Sequence, residues 1–303
     1  MKALLDFVIL CRGMTTKDRI KLLLFALGLR PATSVYLCIT PDNLKESFLF
    51  EHTLRMYKII YLRGREKSFE EVKKIQHNKI VWDVTGLWID YDLFHTVKQK
   101  EQFIQYRKLW QLDKERNKRN TIAGKLYDYP LCCITQYNKE TPRYICKNVD
   151  SYAFYNRMHV IDKKFSLLSY APCSLLCKNA LSQQNHFATA IRNASLSFWN
   201  HLHEVDVYET DVIVESENDI IVDGKSIWKT KNGHDYIVLA VTPFHGKHWF
   251  YTVLSKKPYP VGTVLSATIK QYATYGEVLL GREKGYIKDL HHERNLPLLR
   301  REY

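Results

Sequence analysis

Residues 127–137 read YDYPLCCITQY, which sets two cysteines side by side directly behind a proline. Adjacent cysteines bridge each other only with strain, so partners for Cys132 and Cys133 have to come from elsewhere in the chain. About forty residues on, the arrangement returns in SYAPCSLLCKNA (169–180), where Tyr170 and Pro172 precede Cys173 and Cys177. Proline suits the first position of a helix, because the N–H it lacks would be unpaired there anyway. On that reading Cys132 and Cys133 occupy the first turn of one helix and Cys173 the first turn of another. Cys177 then follows four residues on, along the same face.

A helix N-terminus favours thiolate over thiol through its unpaired N–H groups and its dipole, and thiolate is the form that binds metal or attacks. Two helix starts meeting head-on would therefore gather Cys132, Cys133, Cys173 and Cys177 as a ligand set. Zinc is one occupant: the Cys173-x3-Cys177 spacing suits a tetrahedral site, although the tandem pair suits it less well. An iron–sulfur cluster, being larger and holding several irons, takes tandem cysteines more easily. A third possibility is thiol chemistry at Cys133 or Cys173, with His159 or His186 as neighbour. Plain packing of buried cysteines is the alternative without chemistry. Cys11, Cys38 and Cys146 have no such arrangement and read as core residues.

YPLCC followed by PCSLLC resembles an uncharacterised archaeal family, a domain of unknown function whose members carry similar GYPxCC and PCSxxC signatures. The resemblance covers approximately residues 30–200. The chain departs from it around Tyr129, where glycine-tyrosine is usual before the proline, and at Tyr170-Ala171, where a histidine is expected. It implies that the four cysteines belong together, and it supplies no activity.

Upstream, helix and strand patterns alternate. TTKDRIKLLLFALGLR reads as a capped helix stopping before Pro31, TSVYLCIT as a strand, and Thr40-Pro41-Asp42 as the start of the next helix. YKIIYL and KIVWDV read as further strands, and SFEEVKKIQHN between them as a short helix with a Ser68/Glu71 capping box. That rhythm predicts a small parallel or mixed sheet with helices on it. Asp83, Asp90 and Asp92 fall at or just past a strand end on this pattern. No glycine-rich phosphate loop accompanies it.

A helix carrying Phe103, Tyr106, Leu109 and Trp110 then leads into a basic stretch. From Arg107 to Lys125 there are seven basic residues, Arg107, Lys108, Lys114, Arg116, Lys118, Arg119 and Lys125, against two acidic ones. That composition fits either a phosphate-contacting arm or a solvated helix end. Beyond the cysteines, EVDVYETDVIVESEND (204–219) holds seven acids and no Lys or Arg, which marks a boundary. Short alternating segments separated by turns follow, the pattern of an antiparallel barrel or sandwich. Its last part resembles an RNA-binding OB-type barrel of the ribosomal-protein kind. That resemblance implies stacking or phosphate contacts from Lys270, Tyr275, Arg282 and Lys284.

The whole chain has 303 residues and a formal net charge of +13, an excess that favours polyanionic partners, nucleic acid before an anionic membrane. No apolar run is long enough for a membrane span. MKALLDFVILCRGM reads as an amphipathic helix rather than an export signal, because Asp6 interrupts the apolar run, and this places the cysteines in a reducing cytoplasmic setting. The sequence thus predicts an α+β protein in three parts: an α/β domain over 1–112, a helical cysteine segment over 113–204, and an antiparallel β domain over 205–303. It predicts an iron–sulfur cluster or zinc as cofactor and nucleic acid, RNA before DNA, as partner. The competing functions are a thiol-dependent enzyme acting on a small or peptide substrate, and a non-catalytic module with a structural metal.

Overall fold

Two helices, α1 (Lys2–Leu10) and α2 (Thr16–Ala26), open the computed structural model. It describes residues 2–69, 72–76, 79–83, 86–139, 163–217, 221–222, 225–226, 236–244, 247–255, 259–280 and 283–288. Thr15 caps α2 by accepting the Asp18 N–H on its hydroxyl at 3.1 Å. The helix stops at a Schellman turn: Gly28 takes φ 73°, its N–H bonds the Phe25 carbonyl, and the Leu29 N–H bonds the Leu24 carbonyl. Arg30 and Pro31 then lead into β1 (Ala32–Ile39).

After β1 come a 3-10 turn at Pro41–Asn43, α3 (Lys45–Met56) and β2 (Ile60–Phe69), with Thr40 as the cap residue and Pro41 in the first position. The expected parallel or mixed sheet is not what forms. A strand the sequence did not reveal, β5 (Gly86–Phe94), runs between β1 and β2 and is antiparallel to both. The β1–α3–β2 crossover is real, and β1 and β2 do run parallel to each other, but they are not neighbours. Asp90 and Asp92 are therefore mid-strand rather than at a strand end; Asp92 pairs with Ser34 on one side and Leu62 on the other. The helix expected over SFEEVKKIQHN is also absent. Ser68 lies in β2, and β3 (Val72–Gln76) pairs with β4 (Lys79–Asp83) as a separate hairpin; Glu71 lies outside the described residues. An isolated helix of that length is marginal, and strand pairing outweighs a capping pattern.

One face of the three-stranded sheet presents Val35, Leu37, Ile89, Tyr91 and Leu93 to a core filled by Leu4, Val8, Leu22, Leu23 and Phe25. Two later helices, α7 (Lys178–Ala194) and α8 (Leu196–His201), add Phe187, Ile191 and Phe198 to the same core. Hydrophobic packing thus crosses the boundary drawn at residue 112. The other face of the sheet, at Ala32 and Phe94, is covered by Phe103 of α4 (Val97–Lys108) and Leu126 of α5 (Arg116–Leu126).

The acid-rich stretch read as a boundary is itself a strand, β6 (Val205–Glu217), with Glu209 and Asp211 on its exposed side and Val212 and Val214 buried. It belongs to a ring with β9 (Tyr236–Phe244), β10 (Lys247–Ser255), β11 (Val264–Tyr272), β12 (Gly276–Leu280) and β13 (Glu283–Lys288). The order is β10-β13-β12-β11-β6-β9, and β9 pairs with β10 to close the barrel. Ala267, Ile269, Val278 and Leu280 are buried with the two β6 valines. A short hairpin, β7 (Ile221–Val222) with β8 (Lys225–Ser226), lies outside the ring. Six ring strands among the described residues are one more than an OB barrel has. Among the described residues no helix is long and apolar enough to cross a membrane.

Candidate metal centre

A second Schellman turn delivers the first cysteine pair. At the end of α5, Asp128 adopts φ 59°, its N–H meets the Lys125 carbonyl at 3.3 Å, and the Tyr129 N–H meets the Gly124 carbonyl at 2.7 Å. Tyr129 precedes Pro130, a position biased to extended backbone, and α6 (Leu131–Lys139) begins directly afterwards. The Pro130 carbonyl accepts the N–H groups of Cys133 and Ile134 at 2.9 and 3.1 Å, so both tandem cysteines sit in the first turn as the sequence predicts. Helices α5 and α6 meet where Gly124 faces Ile134; a Cβ at position 124 would stand 2.4 Å from Ile134 Cδ1.

The second pair is arranged differently from expectation. No helix starts at Cys173. Residues 173–176 form bends and a turn, the Cys177 N–H bonds the Ser174 carbonyl at 3.2 Å, and Cys177 is the N-cap of α7. Cys173 and Cys177 are thus not on one helical face. The helix start that meets α6 is the one behind Cys177.

The four sulfurs nevertheless converge, all within 4.8 Å of one another. Cys132 and Cys133 are 3.9 Å apart at sulfur, Cys132 and Cys177 3.8 Å, and Cys133 and Cys177 3.7 Å. A tetrahedron with metal–sulfur bonds of about 2.3 Å has edges of about 3.8 Å. The tandem pair, expected to suit a single ion poorly, therefore spans one tetrahedral edge. These four residues could hold a metal ion.

The surroundings grade the thiols. Cys133 and Cys177 are buried, Cys173 is half-buried and Cys132 is exposed. Cys133 Sγ accepts the Cys173 N–H at 3.3 Å, and Cys132 Sγ accepts from Asn179 Nδ2 at 3.5 Å. Burial pushes the Cys133 thiol far up, partly offset by the Cys173 N–H. Burial, followed by the Cys177 thiol beside it, raises Cys173 to about 11. Cys177 goes the other way: burial opposes its thiolate, but the Ala180 N–H and the thiols of Cys173, Cys133 and Cys132 donate to it and lower its pKa. Four cysteines gathered in this way form an arrangement whose protons a cation can replace. Phe165, Ala180 and Tyr170 pack around the sulfurs.

Residues 100–197 of the chain match the family described as "Protein of unknown function (DUF483)". The match takes in α4 through α7, and so all four cysteines, but not the N-terminal sheet that the resemblance was expected to include. No curated protein and no solved structure matches the chain.

The other sequence candidates do not join the centre. His186 is exposed on α7, and His159, Cys146 and Arg282 lie outside the described residues. Cys11 and Cys38 are buried as expected, Cys11 Sγ reaching Glu46 at 3.3 Å. In the basic stretch, the Arg119 guanidinium lies over the Trp110 ring at 4.6 Å, Arg116 over Tyr137 and Arg107 over Phe103, both at 5.8 Å. Lys118 pairs with Glu115 at 3.6 Å, and Lys108, Lys114 and Lys125 are exposed. Arg107 and Lys108 also line an open cleft with Leu62 and Ile104. On the barrel, Lys270 is exposed on β11, while Tyr275 stacks on Tyr272 with ring centres 4.4 Å apart. Lys284 is placed on β13. Sequence reasoning missed Asn179, the Ala180 N–H and Arg30; no local motif marks any of them.

Proposed function

We propose that this is an intracellular RNA-binding protein whose helical part is fastened by one metal ion held by Cys132, Cys133, Cys173 and Cys177. The observation that carries the reading is the spacing of the sulfurs, three of whose separations fall at 3.7–3.9 Å. A single tetrahedral ion calls for that edge length, whereas a cluster bound through several irons spreads its cysteines further. Zinc is the preferred occupant, since four thiolates complete its coordination and leave no open position. Such a closed site is structural rather than catalytic.

The RNA part rests on charge and chemistry. The net charge of +13 favours a polyanion. Arginines lying over Trp110 and Tyr137 supply paired cationic and aromatic faces, the combination that single strands stack upon.

The test has two arms. Protein purified without oxygen should be colourless with one zinc per chain. Broad visible absorption with iron and acid-labile sulfide would replace the single-ion reading by a cluster. Affinity for single-stranded RNA should fall steeply with salt. Replacing Lys108 and Lys114 by alanine should reduce the log–log slope by about 1.4 if each meets one phosphate. RNA binding that is absent at low salt refutes the partner.

A further inference from the structure

Arg30 is 2% exposed, and a buried guanidinium is unfavourable unless an anion answers it. Its Nη1 donates to Ser169 Oγ at 2.5 Å, its charge lies 5.4 Å from the centre of the Phe187 ring, and its Nε has no hydrogen-bond partner. Among the described residues no carboxylate forms an ion pair with it; Asp128, exposed at the end of α5, acts on it only from a distance. The contacts of Arg30 lead instead towards the cysteines. The Tyr129 hydroxyl shares Ser169 with it, and the Tyr129 ring lies 4.6 Å from that of Tyr170. Tyr170 packs against the cysteine cluster and is within electrostatic reach of both Arg30 and the sulfurs of Cys133 and Cys177.

Four thiolates around a divalent ion carry a net charge of −2. That anion needs a cation as much as Arg30 needs an anion, and Ser169, Tyr129 and Tyr170 join the two by a continuous chain of contacts. We infer that Arg30 is the internal counter-ion of the four-thiolate centre, coupling metal occupancy to the docking of the α2–β1 turn on the cysteine segment. The inference rests on the metal reading above. It explains why a lone arginine is carried into the core by the Gly28 turn, more than a hundred residues from the ligands. With the metal gone and the thiols protonated, the guanidinium loses its countercharge, so the α2–β1 turn is held less firmly.

The experiment is a competition titration of full-length protein against a chromophoric zinc chelator, for the wild type, Arg30→Met and Arg30→Lys. Residues supporting a metal site from outside its ligand shell typically shift affinity 10–100-fold. Arg30→Met should weaken zinc binding within that range, and Arg30→Lys should weaken it less. Thermal melts should show Arg30→Met losing stability in the zinc-loaded protein and little in the stripped protein. Zinc affinity of Arg30→Met within twofold of wild type would overturn the inference and leave Arg30 a packing residue. Equal losses in the two variants would overturn it as well, because a charge role has to distinguish lysine from methionine. If Arg30→Met does not fold, Arg30→Gln against Arg30→Lys makes the same comparison. Wild-type protein that binds no metal would instead bring down the underlying reading.

Discussion

Substituting Gly124 by alanine probes the contact that sets the first cysteine pair. The new Cβ would stand 2.4 Å from Ile134 Cδ1 and 2.5 Å from its Cγ1. Carbon pairs rest at about 3.5–4.0 Å, so Ile134 or the start of α6 has to move by roughly 1 Å. Ile134 is 6% exposed and follows Cys133 directly, so the movement reaches the thiols. Alanine gains about 1 kcal/mol over glycine in a helix interior, while overpacking costs about 1–3 kcal/mol. The net expectation for Gly124→Ala is a loss of about 1 kcal/mol. Ile134→Ala alone should lose about 2–5 kcal/mol by leaving a cavity. In the double variant the added methyl occupies vacated space, so the losses should fall short of their sum by about 1–3 kcal/mol. Urea unfolding followed by tryptophan fluorescence measures all four corners of the cycle. Additivity within about 0.5 kcal/mol, or a Gly124→Ala protein stabilised by the full propensity gain, would refute the close approach of α5 and α6.

Cys177→Ser removes the sulfur that the other three thiols address, and should lower zinc affinity at least 100-fold in chelator competition. Burial raises the pKa of Asp92 from 3.8 to about 6, partly offset by the Ser34 hydroxyl, which donates to the carboxylate at 2.5 Å. The folded state therefore binds the proton more tightly than the unfolded state, so stability falls as pH rises from about 4 to 6 and is flat above. Asp92→Asn should flatten that fall and stabilise the protein by about 1–3 kcal/mol at pH 8 with little effect at pH 4, as read by urea unfolding at each pH. Asp128 holds a left-handed conformation that glycine enters without penalty, so Asp128→Gly should raise the melting temperature by a few degrees, about 0.5–1 kcal/mol.

The first turn of α6 was legible because proline acts locally: with no N–H to lose, Pro130 favours a helix start wherever it stands. The same reasoning misplaced Cys173, because Pro172 is equally content in a bend, and only the chain beyond decides that the helix begins after Cys177. Strand β5 was hidden by Gly86, Asp90 and Asp92, residues that strands avoid. Asp92 is tolerated there because Ser34 across the pair hydrogen-bonds it. The barrel strands announced themselves through alternation, the pattern that β12 shows in its burial, where buried and half-buried residues take turns. That the sulfurs of residues 132, 133 and 177 would meet at tetrahedral distances follows from how α6 and α7 are set against each other. No short window of sequence carries that information, and none carries the role of Arg30.

The position of β5 also dictates a timetable. Neither β1 nor β2 has a partner until β5 arrives between them, so nothing of the N-terminal sheet can pair while the chain is being made until residue 86 has emerged. Ile39 then pairs with Leu87, and Ala32 last with Phe94, across intervals that local helix formation never has to span. The thiols wait longer still, for Cys177, and the barrel waits for the strand ending at residue 288. During that interval α1, α2 and α3 hold their apolar faces with no sheet to cover them, which makes the early nascent chain a client for chaperones.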